Sequence, residues 1–159
     1  MSEEVKVRVG IPEDLDECMK LFELANDENA LTVMDPVKLL NTVWPSLHRE
    51  GGIVGVIGKP AEAVVLLRVE QLWYSDEPVL CEKLVFVAPE YRSAKGGRAA
   101  KLCEFAKKTS DELGMPLVIG IMSNDRTKAK IRTYERLIGP QAGAFFIYGA
   151  KTGHAVERN

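Results

Sequence analysis

The 159-residue sequence predicts a single α/β domain built on a sheet of mixed strand direction. Three observations carry that expectation. Segments of strand-like and helix-like hydrophobic periodicity follow one another in the order β-α-α-β-β-β-α-β-α-β. Two apolar runs, "GIVGVI" and "AVVLLRVEQLW", are joined by the turn residues Gly58, Lys59 and Pro60, the pattern of an antiparallel hairpin. Further on, an apolar strand, an amphipathic helix and a short apolar strand make a β-α-β unit, which sets its two strands parallel.

The elements follow in order. Val5, Val7 and Val9 alternate with charged residues, a half-buried strand ending at Gly10. Pro12 opens a helix in which Leu15, Cys18, Met19, Phe22 and Ala25 share one face and Glu13, Asp14, Asp16 and Glu17 favour the N-terminus. In "DPVKLL", Asp35 is the N-cap of a second helix and Pro36 its first residue, and Pro45 kinks or ends it. After the hairpin and the turn "SDEP", "VLCEKLVFVA" is apolar enough for a strand inside a sheet. In the helix from Arg98 to Leu113, Ala99, Leu102, Cys103, Ala106 and Leu113 line one face, with Gly114 and Pro116 as stop signals. "PLVIGIM" is a short buried strand, 126–137 a basic helix, and "AFFIYGA" a closing strand.

Composition narrows the function. With 21 basic and 23 acidic residues the net charge is -2, so no general nucleic-acid surface is expected. The charged start "MSEEVKVRVG" is unlike a signal peptide and no apolar run is long enough to span a bilayer, which leads us to expect a cytoplasmic protein without a membrane partner. Cys18, Cys81 and Cys103 form no C-x-x-C pair, and His48 and His154 lie far apart, so neither a disulfide framework nor a metal site is expected. Gly58-Lys59 lacks the remaining P-loop residues, since Ile53 and Pro60 stand at key positions.

The stretch with the most chemistry is "VAPEYRSAKGGRAAKL". A helix N-terminus presents unpaired N–H groups and partial positive charge, and glycine lets a ligand approach the backbone. Gly96 and Gly97 supply that access, and Arg92, Lys95, Arg98 and Lys101 add positive charge within about one helical turn. The arrangement suits a diphosphate; an ordinary turn with a solvated basic flank is the alternative.

"LVFVAPEYRSAKGGRAA" resembles the signature segment of the GNAT N-acetyltransferase superfamily, V-x-P-x-x-R/Q-x-x-G-x-G/A between a strand and a helix. Val87, Pro89, Arg92 and Gly97 match, while Lys95 stands where the first motif glycine usually falls. "SNDRTKAKIRTYERLIG" is similar to the family's later motif through Asn124, Tyr134, Glu135, Arg136 and Leu137, with one additional helical turn between Asn124 and Tyr134 and "LIGPQ" in place of Leu-Gly-Phe. The resemblance covers nearly the whole chain. It implies a GNAT-like fold, a mixed and mostly antiparallel sheet with helices on both faces, and acetyl-CoA as co-substrate. Val85, Phe86 and Val87 would then hold the pantetheine arm by strand-like hydrogen bonds. Arg92, Ser93, Ala94, Lys95, Gly96, Gly97 and Arg98 would cradle the pyrophosphate, and Asn124, at the end of the next strand, would also bind the co-substrate.

Acetyl transfer to an amine needs a base, an oxyanion donor and a proton for the departing thiolate. The resemblance assigns the last role to Tyr134 and the donor to the backbone N–H near Val87. An acidic residue on the signature strand can be the base; Glu82 is the first choice and Glu70 the reserve. Strict strand alternation sets Glu82 on one face with Leu84 and Phe86, and a single bulge would exchange the faces. The acceptor, a primary amine attacking directly in a ternary complex, is not specified by "NDENALTVMD"; Asp27, Glu28 and Asp35 offer attraction for a cation or are solvated loop charges. A non-catalytic acyl-CoA-binding module on the same fold is the rival reading, and homodimerisation is common in the family.

Overall fold

The computed structural model describes residues 4–29, 31–92, 96–121 and 127–149. In chain order these form β1 (Val7–Val9), α1 (Leu15–Asn29), α2 (Pro36–Leu47), β2 (Gly52–Ile57), β3 (Ala63–Gln71), β4 (Pro78–Val87), α3 (Arg98–Leu113), β5 (Leu117–Ile119) and α4 (Thr127–Leu137). Short 3-10 turns at Pro12–Asp14 and Pro89–Tyr91 precede α1 and follow β4.

The sheet has the order β1-β2-β3-β4-β5, with neighbours antiparallel except for the parallel pair β4 and β5. Helices cover both faces. Val64 and Leu66 of β3 pack with Cys18, Leu21 and Phe22 of α1 and Val43 and Leu47 of α2. Val65 and Leu67, on the opposite face, pack with Leu102 and Ala106 of α3. Burial on both sides explains why β3 begins as an uninterrupted apolar run.

The helix signals act as their chemistry requires. Asp35 accepts from Val37 N–H at 2.9 Å and Lys38 N–H at 3.4 Å, capping α2. Gly97 and Gly114 bound α3 in left-handed conformations, at φ +56° and +66°, so both limits of this helix were readable from sequence. At the start of α1, buried Asp14 receives two bonds from Arg8, at 2.8 and 3.0 Å, and one from Ile11 N–H. Arg8 in turn holds the Asp14 carboxyl below its ordinary range.

Several expectations need correction. β5 is short and not buried, with Val118 46% exposed, and Ala99 and Leu113 at the two ends of α3 are exposed as well. Pro45 lies inside α2, which runs on to Leu47: a proline in the last turn removes one hydrogen bond without stopping the chain. β3 ends at Gln71, leaving Trp73 94% exposed in the turn. The closing strand does not form over 144–149; Phe146 and Tyr148 are exposed there, and only Phe145 leans back, its ring 3.3 Å from where a Cβ on Gly120 would stand. Aromatic residues favour a strand only where a neighbouring backbone accepts the ladder, and β5 pairs with β4 alone among the described residues.

The ladder between β3 and β4 carries the irregularity that matters most. Leu66 faces Leu84, but Leu67 faces Glu82, so Lys83 is an extra residue in β4. This bulge exchanges the faces. Leu84 and Phe86 join the α1 and α2 core, while Glu82 shares the α3 side with Leu80, Val85 and Val87. The grouping of Glu82 with Leu84 and Phe86 that strict alternation gives is therefore incorrect.

Candidate active site

β4 and β5 pair only from Leu80 to Glu82 and from Leu117 to Ile119. Beyond Lys83, β4 stays paired with β3 as far as Val87 but makes no ladder with β5 among the described residues. The bulge falls where the β4–β5 ladder ends, and β5 stops before Gly120. Between them opens a cleft of about 1240 Å³ that runs from the first turn of α3, past the β4 edge, to the groove beside α1 and α2.

Glu82 stands at the apex, the last β4 residue paired with β5. Burial pushes its carboxyl up to about 8, and its buried Oε2 has no hydrogen-bond partner among the described residues. Tyr134, from α4, lines the same cleft, and its phenol is raised first by burial and then by the negative charges of Glu82 and Cys103. Cys103, 1% exposed on α3, is pushed up to about 11, chiefly by burial. Carboxyl, phenol and thiol thus share one poorly solvated neighbourhood. A carboxyl that titrates near neutrality can accept a proton at working pH, and a phenol kept protonated can donate one.

At the other end, α3 begins without a side-chain cap, and its first turn lines the cleft. The two glycines there serve different purposes. A Cβ on Gly96, at φ +117°, would come within 2.6 Å of Val5 Cγ2, so this residue permits close packing. A Cβ on Gly97 would meet nothing closer than Ala100, at 4.0 Å, so the space above it is open.

Val85, Phe86, Val87, Arg92, Gly97 and Arg98 all line the cleft. The arginines have protein partners. Arg92 donates to Val87 O at 3.0 Å, lies 5.1 Å from the Phe86 ring centroid, and pairs with Glu28 at 2.7 Å. Arg98 is 9% exposed, pairs with Glu62 at 2.6 Å and stacks over Tyr91. Glu70, the reserve base, pairs with Lys83 at 2.6 Å. Ser93, Ala94, Lys95 and Asn124 lie outside the described residues.

Several groups escaped the sequence reading. Glu28 and Glu62 lie 64 and 36 residues from their arginines, separations at which sequence carries no pairing signal. Cys103 was read as core, which it is, but nothing in its spacing placed it near Glu82 and Tyr134. Among the described residues no group of three His, Cys, Asp or Glu is placed to hold a metal ion, and no helix is long and apolar enough to cross a membrane.

No protein-family model and no curated protein sequence matches the chain. Solved structures do. The chain is similar to a possible acetyltransferase from Clostridium difficile at 21% identity and TM-score 0.69, over 96% of this chain and 100% of that one. It is similar to AAC(6')-Iy in complex with the bisubstrate analogue CoA-S-monomethyl-acetylneamine at 14% identity and TM-score 0.67, over 94% of this chain and 100% of that one. An aminoglycoside acetyltransferase from an uncultured soil metagenomic sample, in complex with sisomicin, gives 17% identity and TM-score 0.62, over 93% and 95%. The chain has the GNAT N-acetyltransferase fold: a mostly antiparallel sheet, helices on both faces, and strands that part over a cleft.

Proposed function

We propose that the chain is an N-acetyltransferase that moves an acetyl group from acetyl-CoA to a primary amine by direct attack in a ternary complex. The observation that carries this reading is the splay of β4 from β5, with Glu82 and Tyr134 at its apex and the uncapped start of α3 at its rim. Acetyl-CoA supplies the activated thioester.

The residues present suit such a co-substrate. The first-turn N–H groups of α3 and the open space over Gly97 fit a diphosphate. Val85, Phe86 and Val87 offer an unladdered β4 edge to an extended amide-bearing arm. Arg92 and Arg98 reach the phosphates in this scheme by sharing or exchanging Glu28 and Glu62; Ser93, Ala94, Lys95 and Asn124, which the resemblance assigns to the same co-substrate, lie outside the described residues.

At the apex Glu82 accepts the proton of the incoming amine, directly or through water, because an amine with an ordinary pKa of roughly 10.4 arrives protonated. Tyr134 then protonates the departing thiolate. Its raised pKa keeps the proton on the phenol until that moment. The Val87 N–H is the oxyanion donor in this scheme.

Isothermal titration with acetyl-CoA tests the site. Wild type should bind and Gly97→Glu, which places bulk and negative charge in the open space, should not. Thiol release with a panel of amines then tests turnover. Binding without turnover on any amine would favour the acyl-CoA-binding module, and absence of binding would refute the acetyltransferase reading.

A further inference from the structure

The groove beside α1 and α2 carries positive charge that the protein itself does not match. Of its carboxylates, Glu28 pairs with Arg92 and Glu70 with Lys83, while Asp35 caps α2 through neutral backbone N–H groups, so against Lys38 and Arg68 one positive charge remains in excess. Neither of these cations has such a pair among the described residues. Lys38, exposed on α2, makes no ion pair among the described residues. Arg68, half-buried on β3, donates from Nη1 to Ser46 Oγ at 3.0 Å and to Glu50 O at 2.9 Å. Both acceptors are neutral. Its charge is therefore uncompensated, and its Nε and Nη2 have no acceptor among the described residues.

The position of Arg68 matters as much as its charge. It faces Cys81 across the ladder, one residue from the apex, whereas the α3 N-terminus lies beyond Val87. Six residues of strand separate those two points, about 20 Å. An anion at Arg68 is therefore distinct from a diphosphate at Gly97, and it lies on the α1 and α2 face of the sheet, one residue along the ladder from Glu82 on the α3 face.

Resting on the acetyltransferase reading above, we infer that the acceptor is an amine that itself carries a carboxylate, an amino-carboxylate of the amino-acid class, with its carboxylate seated at Arg68 and attracted further by the Lys38 charge in the same groove. A guanidinium with two unused donor positions matches a carboxylate fork. A polycationic amine meets like charge at the same place.

The test is a calorimetric titration into protein saturated with coenzyme A. The probes are the twenty common amino acids, their amides, phosphoethanolamine and spermidine. At least one amino acid should bind about tenfold more tightly than its amide, the scale of one partly exposed ion pair. That preference should fall in Arg68→Gln and in Lys38→Gln. Since Arg68 also ties Ser46 and Glu50, the exposed Lys38 variant keeps the test valid should the first fail to fold. Amides or spermidine binding as tightly, a preference that survives both substitutions, or no amino acid binding at all would each overturn the inference. Phosphoethanolamine binding above every amino acid would replace the carboxylate by a phosphate and overturn the assignment as well. Failure of the acetyltransferase reading shows separately, in the preceding coenzyme titration.

Discussion

Glu82→Gln should remove a pH dependence of stability that a buried carboxyl imposes. Burial raises this group from 4.5 to about 8, so between those values the folded chain binds more protons than the unfolded chain. Stability therefore falls as pH rises: the contribution is complete below 4.5 and is lost as pH climbs through 8. At about 1.36 kcal/mol per pH unit, that window corresponds to about 5 kcal/mol. The residue is only half-buried and lines an open cleft, so screening by water should leave on the order of 2 kcal/mol. For a chain of this size that is about 4–8 °C in Tm. Cys103 and Tyr134 stay neutral in the folded chain throughout the window and are present in both proteins, so their ionisation in the unfolded chain cancels from the comparison. Glutamine keeps the shape and cannot ionise. Calorimetric Tm values for both proteins from pH 5 to 9 should therefore diverge, the variant gaining on wild type by that amount at the alkaline end. Parallel curves would refute the argument that Glu82 titrates in a desolvated site.

Gly96→Ala forces a Cβ into Val5 and strains a positive φ, which should cost about 1–3 kcal/mol in denaturant unfolding, more than Gly97→Ala, where space is open. Equal losses would show that Gly96 is not tightly packed. Tyr134→Phe should lower kcat by about 10²-fold or more with acetyl-CoA Kd unchanged, as expected of a proton donor; an equal loss in binding would point to packing instead. Glu28→Gln should release Arg92 and tighten acetyl-CoA binding by about threefold at low ionic strength, with the gain shrinking in salt. Weaker binding in that variant would mean that Arg92 must be positioned by Glu28 to act at all.

What could be read from the sequence was whatever depends on neighbours along the chain. Gly97 and Gly114 dictate the limits of α3 because each residue satisfies the helix end where it stands. Asp35 announces α2 for the same reason. The hairpin of β2 and β3 follows from two apolar runs and the turn between them. Partners 36 and 64 residues apart, such as Glu62 with Arg98 and Glu28 with Arg92, depend on how layers stack, and no local spacing encodes them. The segment 144–149 errs in the opposite direction: its aromatic residues meet the local preference for a strand, yet pairing depends on an edge elsewhere.

Lys83 joins these two cases, since a single extra residue in β4 decides which layer receives Glu82. Had Lys83 paired regularly with Leu67, Glu82 would have stood opposite Arg68 and pointed with Leu84 and Phe86 toward the apolar core of α1 and α2, away from Tyr134 and Cys103. The same residue stands where the β4–β5 ladder ends and, through its pair with Glu70, neutralises one carboxylate of the groove beside α1 and α2. The charge balance that leaves Lys38 and Arg68 unmatched thus depends partly on the bulge. Position and electrostatics of the site are therefore coupled. Deleting Lys83 should leave Glu82 opposite Leu67 on the α3 side, since adjacent strand residues alternate, and return Glu70 to the groove as a free carboxylate, so an intact fold with unchanged amine preference would contradict the electrostatic part of the linkage.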